Sequence, residues 1–137
     1  MKTLKRILIG ISILFTTIFI ECENKFSCAF VPCTEVFKSI VITILHKSDS
    51  SAYILTYFKV NRVSDNKDIT IADNDLTDNK GFYTIADDSE IGIFRNKDVE
   101  VEFKGLLNNN LVLQTRFTVT ADCCHISLIN GDFKFYL

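Results

Sequence analysis

VEVEFKGLLNNNLVLQTRFTVT, Val99 to Thr120, is the stretch that decides the fold. Its first six residues alternate strictly, with Val99, Val101 and Phe103 on one side and Glu100, Glu102 and Lys104 on the other. Successive side chains of an extended strand point to opposite faces, whereas a helix repeats its apolar positions every three or four residues. Asn108-Asn109-Asn110 then supplies a polar connection. Beyond it, Leu111, Leu113, Phe117 and Val119 form an inner face against Gln114, Arg116, Thr118 and Thr120. Strand, turn and strand, each with one solvated face, is the pattern of an antiparallel sheet.

The same period recurs on both sides of this hairpin. Phe133, Phe135 and Leu137 alternate with Asp132, Lys134 and Tyr136. Val36 to Leu45 (VFKSIVITIL) is apolar on both faces, as a central strand is. Ala52 to Val60 and Phe82 to Ala86 read as further strands, with weaker ones at Ile69 to Ile71 and Ile91 to Phe94. Polar or glycine-bearing turns separate them: Lys47 to Ser51, Asp78 to Gly81, and Asn130-Gly131-Asp132. Asn130-Gly131 has the composition of a type I′ hairpin turn. Seven or eight short strands in about 100 residues predict an all-β, antiparallel Ig-like or transthyretin-like β-sandwich.

The N-terminus reads differently. Lys2, Lys5 and Arg6 precede the apolar run Ile7 to Ile20, which is shorter than the roughly 20 residues of a membrane-spanning helix. That combination predicts a signal peptide over residues 1–21. Residues 22–35 form a tether and an N-terminal cysteine segment, and residues 36–137 the sandwich domain. Without residues 1–21 the net charge moves from −2 to about −4, and a mildly acidic domain offers no basic footprint for nucleic acid.

Five cysteines, Cys22, Cys28, Cys33, Cys123 and Cys124, leave one over after pairing. Lipidation of Cys22 resolves the parity and predicts attachment to a membrane through that residue. Glu21, where a lipobox carries a small residue, leaves soluble secretion and an uncleaved anchor open. The other four are expected as two disulfides, because exported cysteines normally pair. Three adjacent residues on a regular strand do not converge on one ion, so Cys123-Cys124-His125 is a poor zinc site. The inner face runs through odd positions to Ala121 and through even positions from Ile126, so the cysteines fall at a bulge or strand corner. Cross-links from Cys28 and Cys33 to Cys123 and Cys124 are favoured over two local pairs, and the spacing does not decide between the two cross-linked pairings.

Other constellations are weaker. Asp73, Asp75 and Thr77 have EF-hand spacing, but Asp78 and Thr84 stand where that loop needs glycine and glutamate. Asp73, Asp75 and Asp78, with Asp87 or Asp88, remain candidate ligands of a looser calcium site, against a solvated loop as the default. His46 and His125 are the only histidines, and no serine lies in a G-x-S-x-G elbow. No cofactor and no enzyme are expected. Tyr53, Tyr57, Tyr83 and Tyr136 offer flat apolar area with a polar tip, suited to an envelope protein or a glycan, or else to the rim of the core.

Thr77 to Ile85 (TDNKGFYTI) resembles the signature T-D-x-x-G-x-[FY]-x-I of carboxypeptidase-regulatory-like, transthyretin-type sandwich domains, with the aromatic pair Phe82-Tyr83 directly after the glycine. An N-terminal cysteine pair, Tyr83 to Ser89 (YTIADDS) and Phe117 to His125 (FTVTADCCH) are similar to segments of small uncharacterised exported lipoproteins of Bacteroidetes. The resemblance implies export and a lipid anchor in the bacterial envelope, and no activity. Together these readings predict a non-catalytic binding or structural module at the cell envelope, with a calcium-dependent adhesion or assembly module and a small secreted enzyme as the alternatives.

Overall fold

A computed structural model describes residues 28–71 and 80–137. The calcium candidates Asp73, Asp75 and Asp78, the lipidation candidate Cys22 and the signal segment lie outside the described residues. Eight strands are present among those described: β1 (Ser39–Leu45), β2 (Tyr57–Arg62), β3 (Lys67–Asp68), β4 (Phe82–Asp87), β5 (Val99–Leu107), β6 (Asn110–Ala121), β7 (Ile126–Asn130) and β8 (Lys134–Tyr136). They form two sheets, β3-β2-β5-β6-β7 and β4-β1-β8. Every pair is antiparallel except β1 with β8. The fold is an all-β sandwich.

The alternation in β5 does what its pattern requires: Val99, Val101 and Phe103 are buried between the sheets, while Glu100 is exposed and Glu102 and Lys104 meet on the outer face. From the other sheet Ile40, Ile42, Ile44, Tyr83 and Ile85 close the core. Its centre is aromatic. Phe58 and Tyr83 meet edge to face at 5.3 Å, and Phe58 stacks on Phe103 at 5.6 Å. Tyr83, expected among the surface tyrosines, is fully buried; its hydroxyl accepts the Leu55 N–H (2.8 Å) and donates to the Tyr53 carbonyl (2.9 Å). These bonds satisfy backbone that has left the ladder, so the expected strand over Ala52 to Val60 begins only at Tyr57, after the chain crosses between sheets.

Further expectations are corrected. Ile91 to Phe94 is a short helix, α1 (Ile91–Phe94), entered through a 3-10 turn (Asp88–Glu90) whose cap is the Asp87 carboxylate accepting the Ser89 N–H at 2.8 Å. An Asp-capped turn competes with the strand, and burial of Phe94 anchors it. Leu111 is exposed, because a register shift between Gly105 and Leu106 turns it outward with Leu106. The weak strand expected at Ile69 to Ile71 is instead β3 just before it, with Ile69 buried and its N–H on the Val60 carbonyl. Val36 and Phe37 precede β1 and are exposed, and β1 is fully buried on one face alone.

Asn130-Gly131 does not turn a hairpin. It carries the chain from β7 in one sheet to β8 in the other, where Phe133 is exposed and its carbonyl accepts the Thr43 N–H at 2.8 Å. Gly131 has φ +132°, and a Cβ there would lie 2.3 Å from Phe117 Cδ1. Close approach to the core, rather than a tight turn, is why glycine stands at this position. The type I′ geometry occurs at Asn108-Asn109 between β5 and β6, with φ of 49° and 66°.

Candidate functional site: the stapled junction

The β6–β7 connection is Asp122-Cys123-Cys124-His125, flanked by the Ala121–Ile126 pair. Its shape comes from Asp122, whose carboxylate accepts the N–H groups of Cys124 and His125, each at 2.7 Å. These bonds hold its carboxyl below the usual carboxylate range. The phase slip between Ala121 and Ile126 is this corner. With the backbone so turned, Cys123 bonds Cys28 and Cys124 bonds Cys33, both with Cα atoms 5.3 Å apart. The N-terminal segment is therefore tied to the far end of the chain by two adjacent cross-links, 95 and 91 residues in span.

Beside the second cross-link the sandwich brings together three residues remote in sequence. Asp88 stands just beyond β4, at the corner where the small sheet meets the large one. Its Oδ1 accepts the Ile126 N–H from β7 (2.9 Å), and its Oδ2 accepts the Lys38 N–H just ahead of β1 (2.8 Å). One carboxylate thus clamps both sheets. The same Oδ2 lies 2.7 Å from His125 Nδ1, and His125 Nε2 lies 2.8 Å from the Thr34 hydroxyl. The imidazole and carboxylate side chains are only 12% and 10% exposed, while Thr34 is open to solvent.

Charge fixes the direction of these bonds. Burial would raise the Asp88 carboxyl, but hydrogen bonds from His125 and from the Ile126 and Lys38 N–H groups outweigh it and hold the group below the usual carboxylate range. An ionised carboxylate only accepts, so Nδ1 carries a proton. In the neutral imidazole Nε2 then has the lone pair, and the Thr34 hydroxyl donates to it. The order is carboxylate, imidazole, hydroxyl.

The sequence reading placed Cys123 and Cys124 at a corner but missed the partnership of Thr34, Asp88 and His125. Nothing local signals it: the three lie 91 and 37 positions apart from His125, and only the disulfide and the sheet corner bring them together. The signal available was the pair of doublets Cys33-Thr34 and Cys124-His125, since bonding the cysteines sets their neighbours side by side. His46, the other histidine, packs its ring on Tyr53 at 4.6 Å, far along the chain from this junction. Among the described residues, no group of three or more His, Cys, Asp or Glu side chains is placed to hold a metal ion.

A second feature lies at the opposite end of the five-stranded sheet. Tyr57 on β2 pairs with Leu106 on β5, which pairs with Leu111 on β6, so the three form one row on the outer face. Tyr57 is 51% and Leu111 53% exposed, and Ile54 is exposed nearby in sequence. Thr56 shapes this rim: its N–H and its hydroxyl both donate to the Leu106 carbonyl, and its hydroxyl accepts the Asn108 N–H. Along β5 the row stands about 23 Å from Val99, at roughly 3.3 Å per residue. Tyr136, the other exposed tyrosine, lies on the small sheet, so the four tyrosines do not form one surface.

Set against known proteins, the chain matches no family model, no curated protein and no solved structure.

Proposed function

We propose that this chain is an exported module of the bacterial cell envelope, lipid-anchored through Cys22, that binds an envelope protein or glycan or serves as a structural unit. The observation that carries the reading is the opposition of its two ends: a double disulfide staple at one, an exposed apolar row at the other. Paired thiols on a surface segment suit an oxidising compartment. A lipid on Cys22 leaves about 20 Å of extended chain, at most, before Cys28. The staple then holds that end of the sandwich toward the membrane and points Tyr57, Leu106 and Leu111 away from it. Neighbouring apolar side chains rimmed by polar residues are the usual composition of a recognition surface.

Intact mass spectrometry of the protein from the membrane fraction of its native host tests the anchor. An acylated Cys22 at the N-terminus is expected, and an unmodified N-terminus overturns the anchored reading. A photocrosslinker at Leu111 tests the outward face. It should join the chain to an envelope protein or polymer in living cells while one at Lys97, at the stapled end, does not. Equal labelling from both positions refutes recognition by the apolar row.

A further inference from the structure

We propose that Thr34 is an activated nucleophile, with His125 as its general base and Asp88 as the positioning carboxylate, and that it takes an acyl group from activated esters. This goes beyond the binding role and does not depend on it. Three observations carry it. The hydroxyl, the imidazole and the carboxylate are in line at 2.8 and 2.7 Å, the hydrogen-bond order of acyl-transfer triads, which are recognised by geometry and roles rather than chain position. The two members that must keep a fixed orientation are mostly buried, and Asp88 is itself held by backbone N–H groups of both sheets. The member that must meet a reagent is exposed.

The junction also explains how an exposed threonine on an irregular segment keeps its place. Cys33 precedes Thr34, Cys124 precedes His125, and the bond between the cysteines ties the hydroxyl to the base. In the structural alternative the Thr34–His125 bond only trims the staple, and the hydroxyl has ordinary reactivity. The two readings differ in chemistry and not in stability, which makes them separable.

The step is balanced without a further reactant beyond solvent water. The Thr34 oxygen forms a bond to the ester carbonyl carbon as its proton passes to His125 Nε2. The bond to the leaving oxygen breaks; an alcohol departs with that proton, whereas p-nitrophenolate departs as the anion and His125 passes the proton to water. Thr34 is left as an ester and His125 neutral. Asp88 stays ionised throughout and stabilises the transient imidazolium.

The experiment treats the full, oxidised protein with p-nitrophenyl acetate, whose leaving group departs unaided, and follows acetylation residue by residue by peptide mapping. Ser64, an exposed turn hydroxyl, is the internal reference. General-base assistance predicts acetylation of Thr34 roughly a hundredfold faster than of Ser64. Thr34→Ser should keep the fast adduct at that position, and His125→Gln should bring Thr34 down to the Ser64 rate. Equal rates at Thr34 and Ser64 in the unaltered protein overturn the proposal, as does a fast Thr34 rate that survives His125→Gln.

Discussion

Removing the staple in steps should reveal a cost that does not add. Each disulfide alone closes a loop of 95 or 91 residues, and the chain-entropy model gives each about 4.7 kcal/mol when it acts by itself. Together they are not independent. Once Cys28 is bonded to Cys123, Cys33 and Cys124 lie at the ends of a ring of only about six residues, so the second bond contributes about 2 kcal/mol in the same model. Replacing Cys33 and Cys124 by serine should therefore cost about 2 kcal/mol, and replacing Cys28 and Cys123 about the same, because the remaining bond still closes the long loop. Replacing all four should cost about 7 kcal/mol, well beyond the sum of the two pair deletions. Urea unfolding of the three variants and the parent, with one slope tested for all, measures this directly. A four-cysteine deletion no more costly than that sum would refute cross-linking, because two separate local loops behave additively.

Other perturbations probe the core and the corner. Tyr83→Phe removes the acceptor of the Leu55 N–H and leaves that buried donor unpaired, so it should cost about 1–3 kcal/mol in urea unfolding although no carbon is lost. Gly131→Ala places a methyl against Phe117 in a backbone conformation that side chains rarely adopt, and its melting temperature should fall clearly; an unchanged value would contradict the crossover geometry. Among the described residues Glu90 has one carboxylate oxygen buried without a hydrogen-bond partner, and burial, with Asp87 nearby, pushes its carboxyl up to about 7 from 4.5. The folded state thus favours the protonated acid, so its contribution is fully present below about pH 4.5 and is lost as pH rises through about 7. Glu90→Gln should accordingly raise the melting temperature at pH 8 and change it little at pH 4, and a gain of equal size at both would reject the assignment.

What was legible in the sequence was whatever alternation alone determines. Val99, Val101, Phe103, Phe117 and Val119 lie inward because a strand half in solvent has one apolar face, and the slip between Ala121 and Ile126 marks the corner. What failed depended on contacts between remote segments. Ile91 to Phe94 alternates like a strand, but the Asp87 cap and the burial of Phe94 make it a helix. Asn130-Gly131 has hairpin composition, yet its glycine serves the approach of the chain to Phe117. Leu111 follows the pattern of Leu113 in sequence and departs from it in space because one extra residue in β6 reverses its face. The junction was half legible: the cysteines announce disulfides by their number, while Thr34 and Asp88 are ordinary residues until the fold sets them on either side of His125.

The claim on which the rest depends is that the N-terminal segment is bonded to the β6–β7 corner. Its most direct test is non-reducing peptide mapping of the protein isolated from its native host, with stepwise reduction and alkylation to resolve the adjacent cysteines. Cys28 should be linked to Cys123 and Cys33 to Cys124, with no free thiol among the four. Free thiols at Cys123 and Cys124, or a bond between Cys28 and Cys33, would contradict it, and with it the placement of Thr34 against His125.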